Sequence, residues 1–435
     1  MVINTWVSEY SHRLSLNLAL KRELEFGDEV VLLDLSALAS TVFGLLHRKY
    51  WLMFPRLHAL RKWLKASESS HYISPNRILR LNSRFATKIQ LKSFFSELKW
   101  KRPSLLQEDV LWLSKTIHDL WLDARGFQLA QGKKLTYWLI SRSIQKAIQV
   151  LRSNRDLLKE FDVVFLYNGR FPVDSFISKR LQVDKTIEFF ECGMRHETLT
   201  TYRESTHSYR EHRRKALDIW DRAHRDERDG VAVEFLLQRV SYDSKNYKYW
   251  NRHQEPTFLR DLPEDKKIVS FFLSSEGELN SIPSENKKTL TDDQWIAIRW
   301  LLENLDETKY HLVVKGHPRF IKVGAVDPFH SQSWTIDQID RKITYIEANA
   351  MDDSIALLKR SHIVCVYDSS IGMDAIFHEL PLIIFGAPFF SSILPRRHTS
   401  LEDVSFEDIG NLIYSKQVIY PWAYYLASSG EPLLF

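Results

Sequence analysis

Two runs in the C-terminal half of the chain end in groups that can handle an anion. The first is Val313-Val314-Lys315-Gly316-His317-Pro318-Arg319, and the second is Tyr367-Asp368-Ser369-Ser370-Ile371-Gly372. Each apolar run breaks into small or polar residues, as a parallel strand does where it ends at a ligand crevice. His317 precedes a proline, which biases its backbone to an extended form and holds the imidazole at the strand end. There it can donate to a leaving phosphate and offset developing charge, with Lys315 and Arg319 beside it. Ser369 and Ser370 offer hydroxyls and backbone N–H groups just before a helix, and Gly372 permits close approach. Ser370 also suits a plain helix N-cap. Asp374, in the first helical turn, suits either the helix dipole or a ribose hydroxyl. The pair of endings points to a phosphate-bearing ligand, a nucleotide above all.

Three further strand ends carry polar groups. Ser274-Ser275-Glu276-Gly277-Glu278 closes an apolar run that starts at Lys267, and its hydroxyls and Glu276 suit phosphate and sugar contacts. Asn168-Gly169-Arg170 and Glu191-Cys192-Gly193 close two runs nearer the N-terminus. A carboxylate at such an edge, Glu191, can deprotonate an acceptor hydroxyl, and Arg170 can hold an anionic sugar in two-pronged fashion. A structural ion pair of Glu191 with Arg170 or Arg195 is the plainer reading of the same residues.

These endings need strands and helices to position them. Strands are expected at 29–35, 162–167, 185–190, 267–273, 310–314, 343–346, 363–367 and 382–385. Residues 37–155 read as mostly helical, a large helical insertion in the N-terminal lobe. Residues 209–229 read as a charged helix, and the chain then turns polar without clear periodicity to about residue 266, apart from an apolar patch near Phe235 to Val240. Thr291-Asp292-Asp293-Gln294 reads as a capping box opening a helix with Trp295, Ile298, Leu302 and Leu305 on one face. The alternation predicts α/β architecture with doubly wound parallel sheets. The expected division is 1–255 for an acceptor-side lobe, 256–415 for a nucleotide-sugar lobe, and 416–435 for an aromatic tail that packs back on the body.

Composition narrows the class. With 435 residues, two domains are the default. Hydrophobic residues make up 44%, enough for sizeable cores. Only 14 residues are glycine, and neither GxGxxG nor GxxxxGK[ST] occurs, so a Gly-rich phosphate loop is not expected. The two cysteines, Cys192 and Cys365, lack metal-site spacing; neither zinc nor a disulfide frame is expected. No run approaches the roughly 18–20 apolar residues that span a bilayer. The expectation is a cytoplasmic protein, peripheral at most to a membrane. Net charge is +5, but residues 48–102 hold 14 Lys or Arg against Glu68 and Glu97, a local +12, leaving about −7 elsewhere. Interleaved with Trp51, Phe54, Trp63, Phe85, Phe94, Phe95 and Trp100, this segment suits a basic helical face toward an anionic glycan or the inner leaflet of a membrane. A solvated helical face accounts for it equally, and nucleic acid is the less favoured partner.

Taken in order, these segments resemble the capsular polysaccharide biosynthesis glycosyltransferases, GT-B-like proteins related to the capsule Kdo transferases. The resemblance rests on Asn168-Gly169-Arg170, Glu191, Ser274-Ser275-Glu276-Gly277-Glu278, Gln294, His317-Pro318, Ser370-Ile371-Gly372-Met373-Asp374, and Pro381 to Gly386. It covers about residues 160–435, and Asp374 stands where Glu is more usual. It implies two Rossmann-like lobes facing a cleft. It implies a nucleotide-sugar donor, CMP-linked in one form, as substrate rather than any cofactor. The donor would be held by Ser274, Ser275, Glu276, Lys315, Arg319, Ser369, Ser370, Gly372 and Asp374. His317 and Glu191 would be catalytic, Asn168 and Arg170 would hold a glycan or glycolipid acceptor, and no metal would be required. A teichoic-acid-type polyol-phosphate transferase and a non-enzymatic anionic-polymer-binding protein are the alternatives.

Overall fold

A computed structural model describes residues 2–4, 31–34, 77–80, 162–167, 178, 186–192, 198–204, 206–242, 254–274, 289–318, 343–395, 398, 400–429 and 431–432, some by backbone alone. The chain forms two compact units. The first comprises Met1–Glu211, Leu279–Ile282 and Ser429–Phe435; the second comprises His212–Glu278 and Pro283–Ser428.

The first unit holds β1 (Val2–Asn4), β2 (Val31–Asp34), β3 (Arg77–Arg80), β4 (Val163–Tyr167), β5 (Thr186–Cys192) and β6 (Thr198–Tyr202). The first five strands pair in parallel in the order β3-β2-β1-β4-β5, the Rossmann order. The antiparallel β6 and the Glu431–Pro432 strand extend the far edge. Val164, Phe165 and Leu166 are buried in succession, as are Phe189 and Phe190. Such runs need apolar cover on both sheet faces, which explains why these strands are continuous rather than alternating in sequence. β3 lies inside the basic segment 48–102 and corrects the expectation of helix there: Arg77-Ile78-Leu79-Arg80 pairs with Val31–Asp34. The rest of that segment lies outside the described residues.

In the second unit, α1 (Tyr209–Arg222, beginning just before the unit boundary) and α2 (Arg225–Val240) precede the sheet. β7 (Lys267–Phe272), α3 (Gln294–Asn304), β8 (Tyr310–Lys315), β9 (Ile343–Ile346), α4 (Ser354–Arg360), β10 (Ile363–Val366), α5 (Ile371–Phe377), β11 (Leu382–Ile384) and α6 (Tyr420–Ser428) follow. All five strands are parallel, in the order β11-β10-β7-β8-β9. Counted from β7, this is again the Rossmann order, and the fold is α/β with two Rossmann-like units.

The pleat sends alternate side chains to opposite faces. Ile268, Phe272, Val313, Val364 and Val366 join one core with residues of α1, α2, α4, α5 and α6. Val269, Phe271, Leu312, Val314 and Cys365 join the other with Trp295, Ile298 and Leu301 of α3. The first of these cores accounts for the unit boundary. It draws in Ala216 of α1 and Ala232 and Leu236 of α2, so both helices belong chiefly with the C-terminal sheet and not before a boundary near residue 255. α2 takes up the start of the stretch read as aperiodic, because only Ala232 and Leu236 are fully buried on a helix whose first five residues are all charged. The helix predicted over 209–229 breaks at Ala223 and His224. In the tail, α6 buries Tyr420, Trp422, Ala423, Tyr425, Leu426 and Ala427.

Candidate functional site

In a Rossmann-ordered sheet the ligand crevice lies at the carboxyl ends of the strands, where the order of connection reverses. In the second unit that point falls between β7 and β10. Two loops leave there, one beginning with Leu273-Ser274 and the other with Tyr367-Asp368-Ser369-Ser370.

The two loops are fastened to each other. The Asp368 backbone N–H donates to Ser274 Oγ at 2.7 Å. Ser274 is held in turn by Gln294, the first residue of α3, which is fully buried. Its Oε1 accepts from the Ser274 N–H at 2.9 Å, and its Nε2 donates to the Ser274 carbonyl at 3.4 Å. Asp368 Oδ1 accepts from the Ala387 N–H at 2.8 Å, tying in the segment after β11. α3 starts where it does because Asp293, not Thr291, is its N-cap: Asp293 Oδ1 accepts from the N–H groups of Trp295 and Ile296, both at 2.8 Å. Thr291 instead donates its hydroxyl to the Asp293 carbonyl and shapes the approach turn.

Ser370 is exposed and sits at the N-cap of α5, with no side-chain bond to the helix N–H groups. Arg239, from the end of α2, reaches it. Arg239 Nη2 stands 3.2 Å from the Ser370 carbonyl and 3.4 Å from its hydroxyl. The same guanidinium grips Asp374 with two prongs, Nε to Oδ1 at 2.9 Å and Nη2 to Oδ2 at 2.8 Å. Asp374 is therefore buried and paired, rather than open toward a ribose. Gly372 also differs from expectation. A Cβ there would come within 2.6 Å of Phe390 Cζ, so the missing side chain makes room for an aromatic ring of the protein.

β8 ends on the other side of β7. Its ladder continues through the Gly316 N–H, which donates to the Ile346 carbonyl at 2.8 Å, and half-buried His317 follows. β8 and β10 are thus two strand spacings apart, roughly 10 Å. That exceeds a single phosphate group, so one ligand that engages both ends has to extend across the end of β7.

Lys315 does not stand beside His317 as an open cation. It is 2% exposed, and its Nζ donates to the Glu347 carbonyl at 3.1 Å. Burial lowers its pKa to about 8, with Arg260 adding to the effect and Asp352 and Asp353 opposing it. Arg260 is locked on buried Asp352 through its backbone N–H, Nε and Nη2 at 2.8–2.9 Å. Burial alone would raise the Asp352 carboxyl; Arg260 outweighs it and holds the pKa below the ordinary value. Next to it, Asp353 caps α4 at Ile355 and Ala356 and accepts from the Tyr242 hydroxyl at 2.7 Å. Burial, then this bond, pushes the Tyr242 pKa up to about 12. Gln254 secures the same turn through the N–H and hydroxyl of Ser354.

The structure thus brings Ser274 together with Asp368, and Ser370 with Asp374, and turns Lys315 inward. Glu191 lies in β5 opposite Thr200 of β6. Ser275, Glu276, Arg319, Asn168 and Arg170 lie outside the described residues. Of the contributors that sequence reasoning did not single out as site residues, Gln294 had a signal as part of the ordered motifs. Arg239, Arg260 and Asp352 had none, because their partners lie 92 to 135 residues away in the chain. Among the described residues no group of three His, Cys, Asp or Glu side chains is placed to hold a metal ion, and no helix is long and apolar enough to cross a membrane.

An α/β protein with two Rossmann-ordered sheets, the second all parallel, and a built junction at the second switch point belongs to a large structural class. Within this chain, residues 297–393, from inside α3 to just past β11, match the sequence model of a family described as Capsule polysaccharide biosynthesis protein. That is the family the ordered motifs resemble. No curated protein sequence matches the chain. Similar solved structures include the KpsC β-Kdo 2,7 transferase of Thermosulfurimonas dismutans, at 14% identity over 72% of this chain and 87% of that one, TM-score 0.39. The KpsC β-Kdo 2,4 transferase of the same organism gives 12% identity over 61% and 79%, TM-score 0.36. MnaA of S. aureus, solved with UDP, gives 16% identity over 84% and 88%, TM-score 0.26. At these TM-scores the likenesses carry no weight for function.

Proposed function

We propose that the protein is a glycosyltransferase of surface-polysaccharide assembly that takes a sugar from a nucleotide-sugar donor. The observation that carries this reading is the junction at the second switch point. The Ser274 hydroxyl fixes the Asp368 backbone, Gln294 fixes Ser274, and the polar loops stand where Rossmann-ordered sheets take nucleotides. The family match to residues 297–393, which include His317, Ser370 and Asp374, supports a role in capsule synthesis.

In this reading His317 donates to the leaving phosphate, while Ser369 and Ser370, set in place by Ser274, hold the nucleotide phosphate. As the glycosidic bond to the phosphate breaks, charge builds on the phosphate oxygen, and a fixed donor there lowers the barrier. Glu191 takes the acceptor hydroxyl proton, with Asn168 and Arg170 on the acceptor side. Lys315 is assigned no contact with the donor, because its amine is spent inside the protein. With protein donors neutralising the phosphate, activity is expected to survive EDTA.

Nucleotide release from CMP-, UDP- and GDP-sugars and from CDP-glycerol tests the proposal. Turnover of a nucleotide sugar, abolished in His317→Ala with the fold retained, is the expected result. Turnover of CDP-glycerol alone would assign a polyol-phosphate transferase instead. Full activity in His317→Ala would remove the imidazole from the mechanism.

A further inference from the structure

The cation expected to face the donor phosphate, Lys315, is buried, and this leaves its task to another group. We propose that Arg239, on α2 well upstream of the sheet, binds the phosphate of the nucleotide donor directly, together with the Ser370 hydroxyl. The inference rests on the nucleotide reading given above and names a residue of that site.

A guanidinium carries five N–H donors in one rigid plane. Arg239 uses Nε and Nη2 on Asp374, and Nη2 also approaches the Ser370 carbonyl and hydroxyl. Nη1 has no partner among the described residues, and the side chain keeps 17% of its surface open. The two-pronged grip on Asp374, whose side chain is 5% exposed, fixes the guanidinium plane, so the Nη1 donors are oriented before any ligand arrives, beside an Nη2 already directed at Asp374 and Ser370.

Arg239 also stands in the right place. Ser370 is exposed, and it follows β10 at the switch point, two residues from the serine-fastened junction of Asp368 and Ser274. The Nη1 donors and the Ser370 hydroxyl together offer a phosphate a charge-assisted hydrogen bond from a guanidinium already held in place.

Calorimetric titration of the full chain with CMP, UDP and GDP, and with the matching nucleosides, tests this. For the nucleotide that binds the wild type, Arg239→Ala is expected to weaken affinity roughly 10- to 100-fold, the loss of a charge-assisted hydrogen bond. Affinity for the nucleoside should change little. Arg239→Lys should recover only part of the loss. Arg239→Ala also leaves the Asp374 carboxylate buried without its partner, so the double variant Arg239→Ala/Asp374→Ala is the decisive one. It removes both charges, and it should bind the nucleotide as weakly as the single variant. If the double variant binds like the wild type, Arg239 serves only to neutralise Asp374 and the inference is overturned. Unchanged nucleotide affinity in Arg239→Ala overturns it too. A wild type that binds none of the three nucleotides overturns the donor-site reading itself, a distinguishable failure.

Discussion

The Ser274 hydroxyl and the Asp368 backbone N–H meet at 2.7 Å across the gap between the first and fourth strands of the C-terminal sheet. That bond sets the separation of two loops that each carry a Ser-Ser pair. Ser274 is buried, so removing its hydroxyl leaves the Asp368 N–H short of an acceptor. Ser274→Ala should cost about 1–3 kcal/mol in urea unfolding. It should also reduce nucleotide affinity, through misplacement of Ser369 and Ser370. A variant with wild-type stability would mean that water replaces the hydroxyl at no cost and the junction is not a fixed part of the site.

The Lys315 amine has a pKa of about 8 instead of its ordinary 10.5, chiefly because it is buried. Between these values the unfolded chain binds a proton that the folded chain does not. Stability therefore rises with pH across that window, by up to about 3 kcal/mol, and the penalty is complete and constant below it. Lys315→Met has no such proton. The difference in unfolding free energy, wild type minus variant, should increase as pH climbs from about 8 to about 10.5. Parallel curves for the two proteins would show that Lys315 titrates at its ordinary value and is solvated.

Much of the sheet was legible because buried parallel strands read as unbroken apolar runs. Val163–Tyr167, Lys267–Phe272, Tyr310–Lys315 and Ile363–Val366 all announce themselves in this way. β3 did not, since Arg77-Ile78-Leu79-Arg80 is only four residues long and framed by cations. α2 did not either, because two buried residues on a charged helix leave almost no period. At the site, the strand ends identified where polar groups gather but not which way they turn. Lys315 and Asp374 looked like ligand groups by type and spacing. Each is engaged inside the protein by a partner that local sequence cannot reveal: the Glu347 carbonyl for Lys315 and Arg239 for Asp374.

Two glycines near the switch point make a paired test. A Cβ on Gly372 would lie 2.6 Å from Phe390 Cζ, whereas one on Gly386 would lie 2.5 Å from the Tyr367 carbonyl oxygen. The first neighbour is a side chain and the second is backbone. Gly372→Ala should destabilise by roughly 1–3 kcal/mol, and Phe390→Leu in the same chain should recover part of that. Gly386→Ala should be at least as damaging, and no side-chain change should rescue it. Thermal unfolding midpoints of the three variants measure this. If Gly372→Ala is silent for stability and abolishes nucleotide binding, the position serves the ligand after all.

Asp352 and Arg260 set up the sharpest dependence on acid. The Asp352 side chain is 3% exposed and remains charged because Arg260 clasps both carboxylate oxygens. Its pKa lies below the ordinary 3.8, so it contributes stability above that value and loses it only as pH falls through the lower folded one. In Arg260→Ala the backbone N–H at position 260 still reaches Oδ1, but the guanidinium is gone and burial prevails. The carboxyl should then titrate above its ordinary value, and stability should begin to fall at a higher pH than in the wild type. At neutral pH the loss should be about 3 kcal/mol or less, a partly compensated buried charge. Arg260→Ala/Asp352→Asn, which has no carboxylate to strand, should shift the acid transition back toward the wild type. Acid unfolding followed by tryptophan fluorescence reads all three proteins. Superimposable profiles for the wild type and Arg260→Ala would mean that water already solvates Asp352, and that the pair contributes nothing to holding the turn before α4.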